Sequence, residues 1–239
     1  MGGQKFLYLD DSYLKECESS VISVGDGRHI VLDKTIFYPS GGGQPSDKGK
    51  IIRLKDGREF AVVSVKKENG EAVHEVNAPG LLPGDMVRCV LDWQRRYALM
   101  RMHTAAHILA SIFYREGGAQ ITGNQLDVDK SRFDFSMDGF DREKMEEYVR
   151  KANEIFKKSI EVKVYSLPRD DALKIEGIVK LANALPPSLA VLRIVEIPDV
   201  DIQADGGTHV KNTQEIGELI VLKLENKGKE NKRIYFTLR

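Results

Sequence analysis

Residues 92–118 read DWQRRYALMRMHTAAHILASIFYREGG. Asp92 is a capping residue, and the Gly117-Gly118 step is a stop signal. Between them Tyr97, Met100, Thr104, His107, Ser111 and Tyr114 fall near one stripe, so the spacing predicts a helix from Trp93 to about Glu116. The chain changes texture across this helix. Before it, residues 21–24, Asp26-Gly27 and residues 29–32 read as a hairpin with a two-residue turn. Residues 51–54, Asp56-Gly57 and residues 60–65 repeat the scheme, and residues 73–76 and 86–91 supply further strands. Short strands at close spacing, with turn signals such as Pro79-Gly80 and Pro83-Gly84, suggest a small barrel. After the helix, residues 141–158 keep three- and four-residue apolar spacing through Met145, Tyr148, Val149, Ala152, Ile155 and Phe156, the pattern of a second helix. Residues 162–165 and 189–197 read as strands, residues 168–175 as a short helix, and residues 219–224 and 234–238 as a closing hairpin. The fold class is α+β: a small β-barrel over residues 1–91, then an α/β domain over residues 92–239.

Composition narrows the function classes. The chain has 239 residues, 41% hydrophobic and 30% charged, enough apolar content for a sizeable core. No apolar run approaches a membrane span and no secretory signal opens the chain, so the expected compartment is the cytoplasm. Cys17 and Cys89 are isolated, without CxxC spacing, which argues against a disulfide scaffold. The 36 basic and 36 acidic residues cancel. A nucleic-acid partner must therefore be held by a local basic patch. Arg95, Arg96 and Arg101 on the first helix, and Lys227, Lys229, Lys232 and Arg233 near the final hairpin, are the two candidates.

His103 and His107 stand four apart on the predicted helix and share a face. Far along the chain, Asp205-Gly206-Gly207-Thr208-His209 offers a carboxylate and a third imidazole. Three imidazoles and a carboxylate make a tetrahedral set for one zinc ion. Thr104 stands where a metalloprotease HExxH helix has glutamate, so this is not that chemistry. On spacing alone, a metal site and a coincidence of a helical histidine pair with an ordinary turn stand level. A second unusual segment is Gly41-Gly42-Gly43-Gln44, where glycines permit close backbone approach and positive φ and Gln44 brings an amide. No Walker lysine follows, and a purely steric hairpin is the competing reading.

Four segments occur in order: TxFYPSGGGQPSDxG from Thr35, DWxxRxxxMRxHTAAH from Asp92, SRFDFS from Ser131, and GGTHVxxTxEIG from Gly206. Together they resemble the editing region of alanyl-tRNA synthetase and its free-standing AlaX relatives of medium length, over about Thr35 to Gly217. The editing domain of threonyl-tRNA synthetase is similar at greater distance. The resemblance implies an N-terminal barrel bearing the glycine motif and a zinc-binding α/β editing domain. It implies hydrolysis of the ester in tRNA(Ala) mischarged with serine, and in some members glycine, with the acceptor end of the tRNA as partner. Carried across, His103, His107 and His209 match the family's metal histidines, and Gln44 matches the glutamine after the glycines Gly41, Gly42 and Gly43. Most synthetase members carry cysteine where this chain has Asp205, a harder oxygen donor. Asp205 either ligates directly or holds a water. To read the serine hydroxyl, Gln44, Thr35 and Thr122 are the available polar groups. Asp134 and Glu215 are candidate bases or partners of an imidazole. Two other readings stand beside this one: editing of a different mischarged tRNA, and a non-catalytic tRNA-binding module whose zinc is structural. An unrelated zinc hydrolase is a third.

Overall fold

A computed structural model describes residues 3–137, 139, 141–175, 177–178, 189–228 and 231–239. The chain forms two compact units, Met1–Ala98 and Leu99–Arg239.

In the first unit β1 (Lys5–Phe6) leads into a single helical turn, α1 (Leu7–Asp10), then β2 (Glu16–Gly25), β3 (His29–Leu32), β4 (Lys34–Thr35), β5 (Gly49–Arg53), β6 (Glu59–Glu68), β7 (Glu71–Val76) and β8 (Met86–Leu91). Six of these close a barrel in the order β2-β3-β7-β6-β5-β8, and β1 pairs with β4 outside it. The Asp26-Gly27 turn forms as expected, both residues at positive φ and Arg28 N–H bonded to Gly25 O at 3.0 Å. Two features were not legible. Asn69-Gly70 makes the β6–β7 hairpin, with φ of 49° and 88°. The first half of β2, residues 16–20, pairs with β8, while its second half pairs with β3. The barrel is filled by Ile30, Leu32, Phe37, Ile51, Phe60, Val65 and Val87, each fully buried.

His74 lies in that core as a satisfied polar pair. Its Nδ1 donates to Ile30 O at 2.9 Å, so Nε2 accepts the Thr35 hydroxyl at 2.8 Å. Burial pushes this imidazole down to about 4. The unfolded chain then takes up the proton first as pH falls. Its contribution is complete above about pH 6.5 and is lost towards pH 4, roughly 3 kcal/mol in all. His74→Gln keeps a donor and an acceptor but does not titrate. Urea midpoints between pH 7 and 4 should fall less steeply for this variant by one proton's worth. An unchanged slope contradicts the assignment.

The long helix α2 (Trp93–Gly117) begins in the first unit and continues into the second. Asp92 Oδ1 accepts Arg95 N–H at 3.1 Å at its start. At its end Gly118 has φ of 60° and its N–H bonds to Tyr114 O, an αL closure, with Ala119 N–H on Phe113 O. The single-stripe expectation is corrected: every residue from Met102 to Phe113 is buried. A helix covered on all sides is a core helix, not a surface one.

The second unit adds β9 (Gln120–Gln125), β10 (Ser131–Ser136), α3 (Arg142–Phe156), β11 (Lys163–Pro168), α4 (Arg169–Ala172), β12 (Val191–Ile197), β13 (Asp201–Ala204), β14 (Leu219–Asn226) and β15 (Asn231–Leu238). They build an antiparallel sheet β14-β15-β10-β9 and a second sheet β11-β12-β13. α3 is capped by Asp141 and buries Met145, Tyr148, Val149, Ala152 and Phe156, the expected face apart from half-buried Ile155. The short helix expected over residues 168–175 runs only four residues, with Pro168 as its cap. β13 carried no apolar periodicity strong enough to mark it, yet it leads directly to Asp205.

Candidate metal centre

α2 places His103 and His107 one turn apart, and the loop after β13 brings Asp205 and His209 to them. One potential ligand atom from each of the four lies within 4.8 Å of all the others. The ring centroids are 5.0 Å apart for His103 and His107, 4.4 Å for His103 and His209, and 4.7 Å for His107 and His209. All three imidazoles are buried.

The surrounding hydrogen bonds fix which nitrogens are free. His107 Nδ1 lies 3.0 Å from Asp201 Oδ2, an acceptor that Gln203 Nε2 also donates to at 2.9 Å. Nδ1 therefore carries the proton and Nε2 keeps its lone pair, the arrangement typical of metal-bound histidine. Thr104 does the same for His209. Its hydroxyl donates to Met100 O at 3.0 Å, so Oγ1 accepts from His209 Nδ1 at 3.2 Å and from Val210 N–H at 3.2 Å. His209 Nε2 then presents a lone pair to Asp205 Oδ2 at 2.9 Å. Two lone pairs at that separation repel unless a cation lies with them. The donor set fits zinc: neutral imidazole nitrogens and a carboxylate oxygen.

Electrostatics agree. Burial drives His103 well below the ordinary imidazole range, against the attraction of Asp205 and helped by the neighbouring imidazoles and Arg193. Burial likewise pushes His209 down to about 4, against the pull of the Asp205 carboxylate, which favours the protonated ring. Burial opposes ionisation of Asp205, but His103 and His209 outweigh it and hold the carboxyl well below its usual range. Near neutrality His103 and His209 are thus uncharged imidazoles beside the Asp205 carboxylate.

The loop that carries Asp205 is held from two sides. Asp205 Oδ2 accepts Gly207 N–H at 2.7 Å, and Arg193 Nη1 on β12 donates to Asp205 O at 2.9 Å and Gly207 O at 3.0 Å. A Cβ on residue 207 would lie 2.2 Å from His103 Cε1 and 2.9 Å from Asp205 Oδ2. Gly207 is therefore required for close approach, whereas a Cβ on Gly206 meets nothing within 4 Å. Gly207→Ala should leave the protein folded by circular dichroism while bound metal, measured by atomic absorption, falls at least about tenfold. Metal retained at the wild-type level contradicts the packing argument, and Gly206→Ala is the control.

Other residues singled out by the sequence fall as follows. Gly41, Gly42, Gly43 and Gln44 form a tight turn: Gly42 and Gly43 have φ of 58° and 85°, and Gly41 and Gln44 exchange backbone hydrogen bonds at 2.9 and 3.1 Å. Gln44 is buried. Thr35 gives its proton to His74 and accepts Phe37 N–H at 3.0 Å. Thr122 is exposed and is the extra residue of a β-bulge, since Asp134 pairs with Gly123 and Phe135 with Ile121. Asp134 uses both carboxylate oxygens on Arg233. Glu215 Oε1 accepts the N–H groups of Lys211 and Asn212 in a capping box. Both carboxylates are thus engaged by partners outside the four-residue cluster. The basic-patch candidates are engaged within the chain as follows, with Arg95 Nε on Ser46 O at 3.3 Å. Arg96 is buried on Asp47, Arg101 donates to Ile216 O and Arg239 O, Lys232 is buried on Gly228 O, Arg233 pairs with Asp134, and Lys227 pairs with Glu225. Lys229 lies outside the described residues. Asp201, Thr104 and Arg193 were not identified as site partners from sequence.

The family model described as threonyl and alanyl tRNA synthetase second additional domain matches residues 192–235, the span of Arg193, Asp201, Asp205 and His209. The class II (A) tRNA synthetase model matches residues 10–95. The chain is 49% identical over 235 residues to the alanyl-tRNA editing protein AlaX-M of Saccharolobus solfataricus, covering 98% of each. It belongs to the AlaX-M family. An AlaX-M protein of Methanosarcina barkeri is also 49% identical, over 97% of this chain and 98% of the relative. The alanine–tRNA ligase of Pyrobaculum aerophilum is 37% identical over 97% of this chain, which spans 26% of that larger protein. The AlaX-M chain thus aligns along nearly its whole length with a segment of the ligase.

Proposed function

We propose that this AlaX-M chain is an aminoacyl-tRNA deacylase acting in trans on tRNA(Ala) mischarged with serine, and on its glycine counterpart, while sparing correct Ala-tRNA(Ala). The observation that carries the reading is the convergence of His103, His107, Asp205 and His209, in a chain aligned end to end with alanyl-tRNA editing proteins. These four residues would hold one zinc ion, which would supply Lewis-acid chemistry at the aminoacyl ester. The chain's own groups do the rest. Asp201 and Thr104 set the tautomers of His107 and His209 and aim both Nε2 atoms at one point. Arg193 and the Gly207 N–H hold the Asp205 carboxylate in place. An aminoacyl ester is already activated, so a placed water suffices and no protein nucleophile is needed.

Selectivity needs a group that bonds the serine hydroxyl and is left unpaired by alanine, which costs binding. Of the three polar groups considered, Thr35 has committed its proton to His74 and Gln44 is buried. We assign the role to Thr122, which is exposed at a bulge, a device that re-aims a side chain. The Gly41–Gln44 turn is assigned to the acceptor end of the tRNA. The experiment is a deacylation assay with Ser-tRNA(Ala) and Ala-tRNA(Ala), each labelled on the amino acid. The expected result is rapid loss of serine with alanine nearly intact, and about tenfold slower serine release for Thr122→Val with its metal retained. Equal loss of both labels, or loss of neither, contradicts the reading.

A further inference from the structure

The chain has two cysteines, both with free thiols, and none among the candidate metal ligands. Cys17 on β2 and Cys89 on β8 are direct register partners. The flanking bonds, Leu91 N–H to Lys15 O and Val21 N–H to Asp85 O, both at 2.9 Å, place them in a hydrogen-bonded antiparallel pair. The Cα atoms of such a pair lie about 5.5 Å apart, inside the range of about 4.4–6.8 Å that a disulfide spans. Directly opposed residues project to the same face of the sheet. Here that face is the barrel core, where Cys89 is fully buried and Cys17 packs half-buried beside it. The two thiols face each other across the β2–β8 seam.

We propose that Cys17 and Cys89 are a modification site, a dithiol that a hydroperoxide converts into a cross-strand disulfide closing the β2–β8 seam. Cys17 is the attacking group because it is the partly exposed member. Its contact with Cys89 lowers its pKa, while that contact and burial raise that of Cys89. The Cys17 thiolate takes the terminal oxygen of the hydroperoxide and, with one proton, gives a sulfenic acid and the alcohol, or water from hydrogen peroxide. The Cys89 sulfur then attacks the Cys17 sulfur, and the hydroxyl leaves with the Cys89 proton as a second water. Two electrons pass from the thiols to the peroxide. The bond joins residues about 70 positions apart, and so restricts the unfolded barrel strongly.

The test treats the purified full chain with hydrogen peroxide, then dithiothreitol. Expected results are loss of both titratable thiols, a Cys17–Cys89 cross-linked peptide within one chain by mass spectrometry, and a rise in Tm on the order of 10 °C that dithiothreitol reverses. Cys17→Ser should leave Cys89 unreacted, and Cys89→Ser should stop at a sulfenic acid trapped by dimedone. Cross-links between chains, Cys17 oxidised to sulfinic acid with Cys89 still free, or two thiols persisting overturn the proposal. If Cys89→Ser fails to fold, peptide mapping of the wild type and Cys17→Ser decides it.

Discussion

His107→Ala is expected to slow deacylation of Ser-tRNA(Ala) by more than about 100-fold and to lower bound zinc well below one per chain. The loss has two parts. One candidate ligand is gone, and the buried Asp201 carboxylate loses the hydrogen bond it accepts from His107 Nδ1 at 3.0 Å. His107→Gln returns an amide but not an imidazole nitrogen and should rescue neither. Asp201→Asn keeps all four ligands and removes the carboxylate that fixes the ring, so it should weaken metal binding by about 10–100-fold. Metal content and single-turnover deacylation, measured on the same preparations, check all three. A fully active His107→Ala protein with a full complement of zinc would show that the site is misplaced.

Arg96→Ala is expected to destabilise the first unit by about 3–5 kcal/mol, the cost of stranding one member of a buried ion pair. Arg96 and Asp47 are both essentially inaccessible to solvent. Arg96 Nε lies 3.0 Å from both Asp47 oxygens, while Nη1 donates to Ser12 O at 2.8 Å and Nη2 to Ile36 O at 2.5 Å. Asp47 in turn accepts Tyr38 N–H at 2.6 Å. One guanidinium therefore clamps both stems of the segment whose tip is the Gly41–Gln44 turn. This explains the pairing of two motifs read separately in the sequence, the arginine of DWxxR and the aspartate of QPSDxG. Thermal unfolding should show a fall in Tm of about 10 °C or more. An Arg96→Met, Asp47→Leu double variant removes both charges and should recover part of the loss. A single variant within about 1 kcal/mol of wild type contradicts the clamp.

Much of the architecture was legible because it rests on local chemistry. Asp26-Gly27, Asp92 and Gly117-Gly118 each impose a turn or a helix end through their own backbone and side-chain preferences. The misses have physical reasons. Asn69-Gly70 is flanked by Lys66, Lys67, Glu68 and Glu71, so no apolar alternation surrounded the turn. Residues 16–20 of β2 turn only Cys17 and Ser19 inward, and neither resembles a core residue. α2 was read from one stripe that already included Thr104 and His107, and the burial of the remaining residues from Met102 to Phe113 depends on elements distant in sequence. The four-residue cluster was visible because two of its members lie one turn apart and two lie four apart in a glycine loop. Asp201, Thr104 and Arg193 were not, since each is an ordinary residue whose role depends on the fold; Asp201 reaches His107 across 94 positions. Within the basic clusters, the burial of Arg96 and Lys232 was hidden for the converse reason. A count of lysines and arginines does not reveal which are already paired.

Zinc-edge X-ray absorption of the purified protein, combined with its metal content, tests the central claim most directly. The account predicts one zinc per chain with nitrogen and oxygen neighbours alone at about 2.0–2.2 Å, from three imidazoles and the Asp205 carboxylate. A sulfur shell at about 2.3 Å, or zinc at a small fraction of the chain concentration, would contradict it.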